Sequence, residues 1–64
     1  MFASEETFFT DAVLFANRCA ESTGEMHLIY RDSCDRFQCR QAGQLIDQRW
    51  ELIYCANPYM TGGN

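Results

Sequence analysis

The chain has 64 residues, of which 47% are hydrophobic and 14% aromatic, and a formal net charge of -4 at pH 7. A chain this short forms one domain at most, and about 60% of the surface that its unfolded form exposes becomes buried. The acidic balance argues against generic nucleic-acid binding, which requires a positive field. Its apolar runs are too short to span a membrane, and its acidic start lacks the basic segment of a secretory signal. We therefore expect a cytoplasmic protein.

The basic residues are unusual because all five are arginines. Four of them lie between residues 31 and 49: Arg31, Arg36, Arg40 and Arg49. The first 25 residues instead carry five carboxylates against Arg18 alone. Arginine suits desolvated, bidentate contacts with carboxylates or phosphates. The pattern predicts an acidic surface and a separate arginine-bearing surface.

Residues 4–22 are predicted to form a helix. Ser4 is a favourable N-cap, and Glu5 and Glu6 would lie in the first turn, where the helix dipole favours negative charge. Apolar residues recur at helical spacing through this range and give a broad stripe. Gly24 can adopt the left-handed conformation that ends many helices.

Two strands are predicted next, at residues 26–32 and 36–41, because apolar and polar residues alternate there with period two. Asp and Ser residues at 32–35 favour a turn between the strands. Residues 44–56 fit either a third strand or a second helix. We favour the strand, because Trp50 and its aromatic and β-branched neighbours suit a pleated surface and a turn at Ala42-Gly43 precedes them.

The predicted fold is α+β, with one N-terminal helix packed on a three-stranded antiparallel β-meander in the order α-β-β-β. The alternative is α-β-β-α, with residues 44–56 helical. Residues 1–59 are expected to form a single small domain, and residues 60–64, which contain Gly62-Gly63, a flexible C-terminal tail.

Side-chain alternation divides this predicted sheet into two faces. One face would meet the helix and would carry Met26, Leu28, Tyr30, Phe37, Cys39, Ile46, Trp50, Leu52 and Tyr54. The other face would be left uncovered, because a single helix shields only one side. Arginines mixed with aliphatic residues are typical of a protein interface. The alternative is a solvated sheet face with arginine–carboxylate pairs across the strands. The predicted partner-binding residues on this face are Arg31, Arg36, Arg40, Arg49, Ile29 and Ile53.

The four cysteines and the single histidine do not predict a metal or catalytic site. Only Cys34 and Cys39 are close enough in sequence to form a zinc knuckle, and Cys19 and Cys55 are isolated. Cys19 and Cys39 are interpreted as small core residues, Cys34 as a turn thiol and Cys55 as partly exposed. His27 has no evident nucleophile beside it. We expect no cofactor, no metal and no catalytic residue.

A small acidic non-enzymatic protein-binding module is therefore the favoured function, acting as an inhibitor or adaptor that occupies a surface of a partner protein. This style is typical of bacteriophage inhibitors, anti-CRISPR proteins among them. The alternative is a nucleic-acid- or zinc-binding module that uses the arginine-bearing face and the cysteines. A homodimer through the uncovered sheet face is a further hypothesis.

Overall fold

One helix lies across a four-stranded antiparallel sheet in the computed structural model, which describes residues 3–58. The elements in chain order are β1 (Ala3–Glu6), α1 (Phe9–Thr23), β2 (His27–Arg31), β3 (Phe37–Gln41) and β4 (Glu51–Ala56). The strands lie in the order β1-β3-β2-β4. The predicted α+β class, with an N-terminal helix followed by antiparallel strands, is confirmed. The predicted tail at residues 60–64 lies outside the described residues.

The first strand corrects the prediction that the helix begins at Ser4. Residues 3–6 pair with β3 instead, with Ser4 opposite Cys39 and Glu6 opposite Phe37. The Ser4 hydroxyl donates a hydrogen bond to the Glu6 carboxylate and caps no helix. The helix begins at Phe9 with no side-chain cap at Phe8. Long-range strand pairing here outweighs a local capping signal.

The predicted end of the helix is confirmed at Gly24. Its φ is 72°, which is the left-handed region, and its N–H donates to the Ala20 carbonyl at 2.9 Å. The hairpin that follows also matches the prediction closely. Asp32 organises its turn, because one carboxylate oxygen accepts the backbone N–H groups of Cys34 at 2.8 Å and Arg36 at 3.0 Å.

The last strand confirms the strand interpretation only for residues 51–56, and the helical alternative for 44–56 is wrong. β4 pairs with β2 and not with β3, so the sheet is no simple meander. Since β3 and β4 are both antiparallel to β2, they run parallel to each other on its two sides. The connection between them, residues 42–50, must cross over β2. We call it the crossover segment.

The core lies between α1 and one face of the sheet, and it is built from small side chains on the helix. Ala12, Ala16 and Ala20 are completely buried and pack with Ile29 and Cys39. Alanines let the helix backbone approach the sheet closely, and the Cys39 thiol reaches the Ala12 carbonyl oxygen at 3.5 Å. Phe15 packs on the edge of this core.

The two faces of β2 are the reverse of the prediction. His27 and Ile29 are completely buried beneath the helix, whereas Leu28 and Tyr30 are half-buried on the opposite side. The alternation along β2 was predicted correctly, but each of its two faces contains an aliphatic residue, Ile29 on one and Leu28 on the other. Because the crossover segment also covers the far face in part, hydrophobicity alone did not indicate which set faces the helix.

Candidate functional site

The sheet face opposite the helix is the candidate site, and we call it the crossover face. Two rows of cross-strand neighbours form it. One row consists of Glu5, Gln38, Tyr30 and Leu52, and the next brings Arg40, Leu28 and Cys55 together. The crossover segment ends on this face, because the Trp50 ring lies against Tyr30 and Arg40. The predicted uncovered face is therefore partly covered.

Arg40 is the central side chain of the crossover face, and its position is fixed by several contacts. Its Nη1 donates to the carbonyl oxygens of Cys39 at 2.8 Å and Ser4 at 3.3 Å. Its Nη2 donates to the side-chain oxygen of Gln38 at 3.0 Å. These contacts bridge β3 and β1 and hold the half-buried guanidinium in one orientation.

Trp50 covers one side of this guanidinium. The Arg40 Cζ lies 5.3 Å from the centre of a Trp50 ring, within the distance of a cation–π contact. The Trp50 and Tyr30 rings are 6.2 Å apart and inclined by 47°. The prediction that Trp50 joins the sheet to the helix is wrong. Trp50 instead fastens the end of the crossover segment to the crossover face.

Asp32 extends the polar contacts from the hairpin turn to Arg40. Its second carboxylate oxygen accepts a hydrogen bond from the Gln38 side-chain amide at 2.8 Å, and Gln38 in turn accepts from Arg40. The Arg36 backbone N–H, followed by the Gln38 amide, lowers the pKa of Asp32. Asp32 therefore orients the buried Gln38, which orients Arg40.

The other three predicted arginines lie apart and have carboxylate partners. Arg31 pairs with Glu51 at 2.6 Å at one end of the β2–β4 ladder. Arg36 lies 3.4 Å from Glu5.

Arg49 forms its ion pair within the crossover segment itself. Its guanidinium contacts Asp47 at 2.9 Å, and hydrogen bonds from the Arg49 side chain and backbone lower the pKa of Asp47 to about 2. The Arg49 side chain is otherwise 88% exposed. The arginines therefore do not form the single cluster that the sequence predicted, and only Arg40 lies at the centre of the crossover face.

The placement of Ile29 and Ile53 on an exposed face is also wrong. Ile29 is completely buried between sheet and helix. Ile53 is the extra residue of an irregularity in the β2–β4 pairing, because Tyr54 lies opposite Ile29 while Leu52 lies opposite Tyr30. This irregularity turns Ile53 toward the core, against which it packs. In this fold the Ile29 side chain cannot contact a partner.

The sequence did not predict that two leucines of the crossover segment and the crossover face are exposed. Leu52 is 54% exposed on the crossover face, and Leu45 is 98% exposed on the crossover segment. Leu52 was predicted to face the helix. Leu45 lies in the crossover segment, which was not predicted. The only indication in the sequence of a binding face here was the presence of Tyr30, Arg40 and Trp50, which are residue types common at interfaces.

The cysteines are placed as the sequence suggested. Cys19 and Cys39 are buried, Cys34 is exposed at the hairpin turn and Cys55 is half-buried, all as free thiols. Burial raises the pKa of Cys39 to about 11, which makes its thiol a poor nucleophile. Within residues 3–58, no three His, Cys, Asp or Glu side chains are grouped in a way that could hold a metal ion. The metal-free state itself stays a prediction.

Comparisons with protein-family models, with curated proteins and with solved structures found no match. In the part of the chain that the structure describes, no helix combines the length and the apolar character needed to cross a bilayer. The geometry of the crossover face is therefore the basis for a functional proposal.

Proposed function

We propose that this chain is a non-enzymatic protein-binding module that occupies a surface of a partner protein, as an inhibitor or adaptor, through the crossover face. The observation that carries the proposal is the contact cluster of Arg40, Trp50 and Tyr30 beside the exposed Leu52. Trp, Tyr and Arg are the residue types that most often dominate the energy of protein interfaces.

The rigidity of this cluster supports the proposal. A free arginine loses side-chain entropy when it binds, whereas Arg40 is already held by three hydrogen bonds and by the Trp50 ring. Leu52, which lies opposite Tyr30 in the sheet, adds an exposed apolar contact beside it. The described residues form no pocket, which favours contact with a broad surface over capture of a small molecule.

A second apolar patch lies at the start of the helix, where Phe8 is 67% and Phe9 41% exposed. Phe9 already packs on Phe37 at 5.5 Å and on Tyr54 at 6.0 Å, so part of this patch serves the core. It lacks the fixed, charged group that the crossover face has in Arg40. The crossover face is therefore the better candidate.

Nucleic-acid binding is the second candidate function, because aromatic rings beside an arginine can stack on unpaired bases. The contact of Trp50 with Arg40 and Tyr30 is the observation in its favour. Against it stand the net charge of -4 and the pairing of Arg31, Arg36 and Arg49 with carboxylates. A zinc-binding function has less support, since no three His, Cys, Asp or Glu side chains of residues 3–58 are grouped to hold a metal ion.

Two leucines of equal exposure test the proposal. Leu52 lies on the crossover face and Leu14 on the outer surface of the helix, and each is 54% exposed. The protein captured from a lysate of the native host would be purified and its affinity for each variant measured by calorimetry. Leu52→Asp is expected to weaken binding at least about tenfold, because a carboxylate in a desolvated contact is costly. Leu14→Asp is expected to leave the affinity unchanged.

Circular dichroism of both variants would first establish that they fold. Loss of binding in Leu14→Asp with retention in Leu52→Asp would contradict the proposal and move the site to the outer surface of α1. If the captured protein is a second copy of the chain, sedimentation should show that Leu52→Asp is monomeric while Leu14→Asp still dimerises.

A further inference from the structure

We infer that the partner presents to the crossover face a segment with one carboxylate among apolar residues, in which the carboxylate binds Arg40 and the apolar neighbours pack on Leu52 and Trp50. This inference rests on the proposed function and names the chemistry of the partner. It comes from the surroundings of Arg40, which differ from those of the neighbouring arginines in the sequence.

Among the arginines between residues 31 and 49, Arg40 is the one with no carboxylate of residues 3–58 within ion-pair distance. Arg31, Arg36 and Arg49 each lie within ion-pair distance of a carboxylate. The acceptors around Arg40 are the carbonyl oxygens of Ser4 and Cys39 and the amide oxygen of Gln38, all of which are neutral. They fix the guanidinium without neutralising it.

The geometry leaves Arg40 able to bind an anion. A guanidinium has more N–H donors than these three contacts use, including Nε. Trp50 covers one side of the group, so that the partly desolvated charge is screened less than in water. Charge-assisted hydrogen bonds are strong under these conditions. An anion here would meet a cation whose orientation is already set.

A carboxylate fits this position better than a nucleic-acid phosphate. The Glu5 side chain lies on the same face, and its pair with Arg36 uses the other nearby cation. One unbalanced charge on a chain of net charge -4 cannot attract a polyanion strongly. It can pair with a single carboxylate whose apolar neighbours contact Leu52 and Trp50. The partner segment therefore carries one carboxylate among apolar residues, as in a single glutamate flanked by leucines.

Peptide probes test this chemistry directly. A short peptide with one central glutamate flanked by leucines would be titrated into the labelled wild-type protein, with a matched peptide carrying glutamine in place of that glutamate. NMR would follow the Arg40 Nε–H and the Trp50 indole N–H. We expect both signals to shift with the glutamate peptide and its affinity to exceed that of the glutamine peptide by about tenfold.

Variants of Arg40 provide the second arm. Arg40→Gln should lower the affinity for the glutamate peptide to that for the glutamine peptide, and Arg40→Lys, which keeps the charge but not the planar fork, should lie between. The comparison of the two peptides needs only the wild type, so it remains decisive if a variant does not fold.

Equal affinity for the two peptides, or binding of neither, would overturn the inference. Displacement of the glutamate peptide by a short oligothymidylate would overturn it in favour of a nucleic-acid ligand. These failures differ from failure of the proposed function, which is decided by the effects of Leu52→Asp and Leu14→Asp on binding of the native partner.

Discussion

Replacing Ile29 with alanine is expected to lower the free energy of unfolding by about 2–5 kcal/mol, the range for large-to-alanine changes in well-packed cores. Ile29 is completely buried, at the centre of β2, with Cys39 opposite it on β3 and Tyr54 opposite it on β4. Neighbouring strands on both sides prevent the site from collapsing around the lost atoms. A domain of this size has a total stability of only about 3–10 kcal/mol, so the variant is expected to be partly or wholly unfolded.

Leu52→Ala is the matched control, since Leu52 is 54% exposed on the crossover face. Its expected cost is below about 1 kcal/mol, as for most exposed positions. Urea unfolding followed by circular dichroism would compare both variants with the wild type. A larger loss for Leu52→Ala than for Ile29→Ala would mean that β2 and β4 face the other way, as the sequence alone predicted.

The second large effect is expected from a larger residue in the alanine stripe of the helix. Ala16 is completely buried and packs among Ala12, Ala20 and Ile29. Ala16→Leu should destabilise the fold by about 1–3 kcal/mol, because added methylene groups force the helix away from the sheet. The same movement would lengthen the contact between the Cys39 thiol and the Ala12 carbonyl oxygen, which is 3.5 Å.

Ser22→Leu separates this packing effect from the helix propensity of leucine, because Ser22 is exposed on the same helix. It is expected to change the stability by no more than about 0.5 kcal/mol. Thermal unfolding of both variants would measure the difference. An unchanged melting temperature for Ala16→Leu would show that the helix does not pack on the sheet through its alanines.

The parts of the fold that the sequence predicted are those with strong local signals. Gly24 ends the helix, Asp32 organises the hairpin turn, and period-two alternation located β2 and β3. The first strand had no such signal. Ser4 followed by acidic residues is a good helix start in isolation, and only pairing with β3, more than thirty residues away along the chain, makes it a strand.

The faces of the sheet could not be predicted for a different reason. Alternation indicates that Ile29 and Tyr30 lie on opposite sides, but not which of them meets the helix. Which face meets the helix depends on the crossover segment, because Trp50 partly covers the face opposite the helix. The residue types along the chain do not indicate a crossover connection of this kind, because it depends on contacts between distant segments.

The candidate site was predicted in part. Arg40 was among the proposed binding residues and lies at the centre of the crossover face, whereas Ile29 is inside the core. Trp50 was assigned to the wrong side of the sheet. The residue types were informative, because arginine and tryptophan often contribute much of the binding energy at interfaces. Their arrangement could not be predicted, because it depends on how residues 42–50 cross the sheet.

The most direct test of this account is the position of the Trp50 ring, because the crossover face exists only if the crossover segment lies opposite the helix. Nuclear Overhauser contacts of the Trp50 indole protons would be recorded on the free protein. We predict contacts to the Arg40 side chain and to the Tyr30 ring, which lie against Trp50 in the structure. Contacts from Trp50 to Phe15 or Ala16 of the helix, with none to Arg40, would contradict the account.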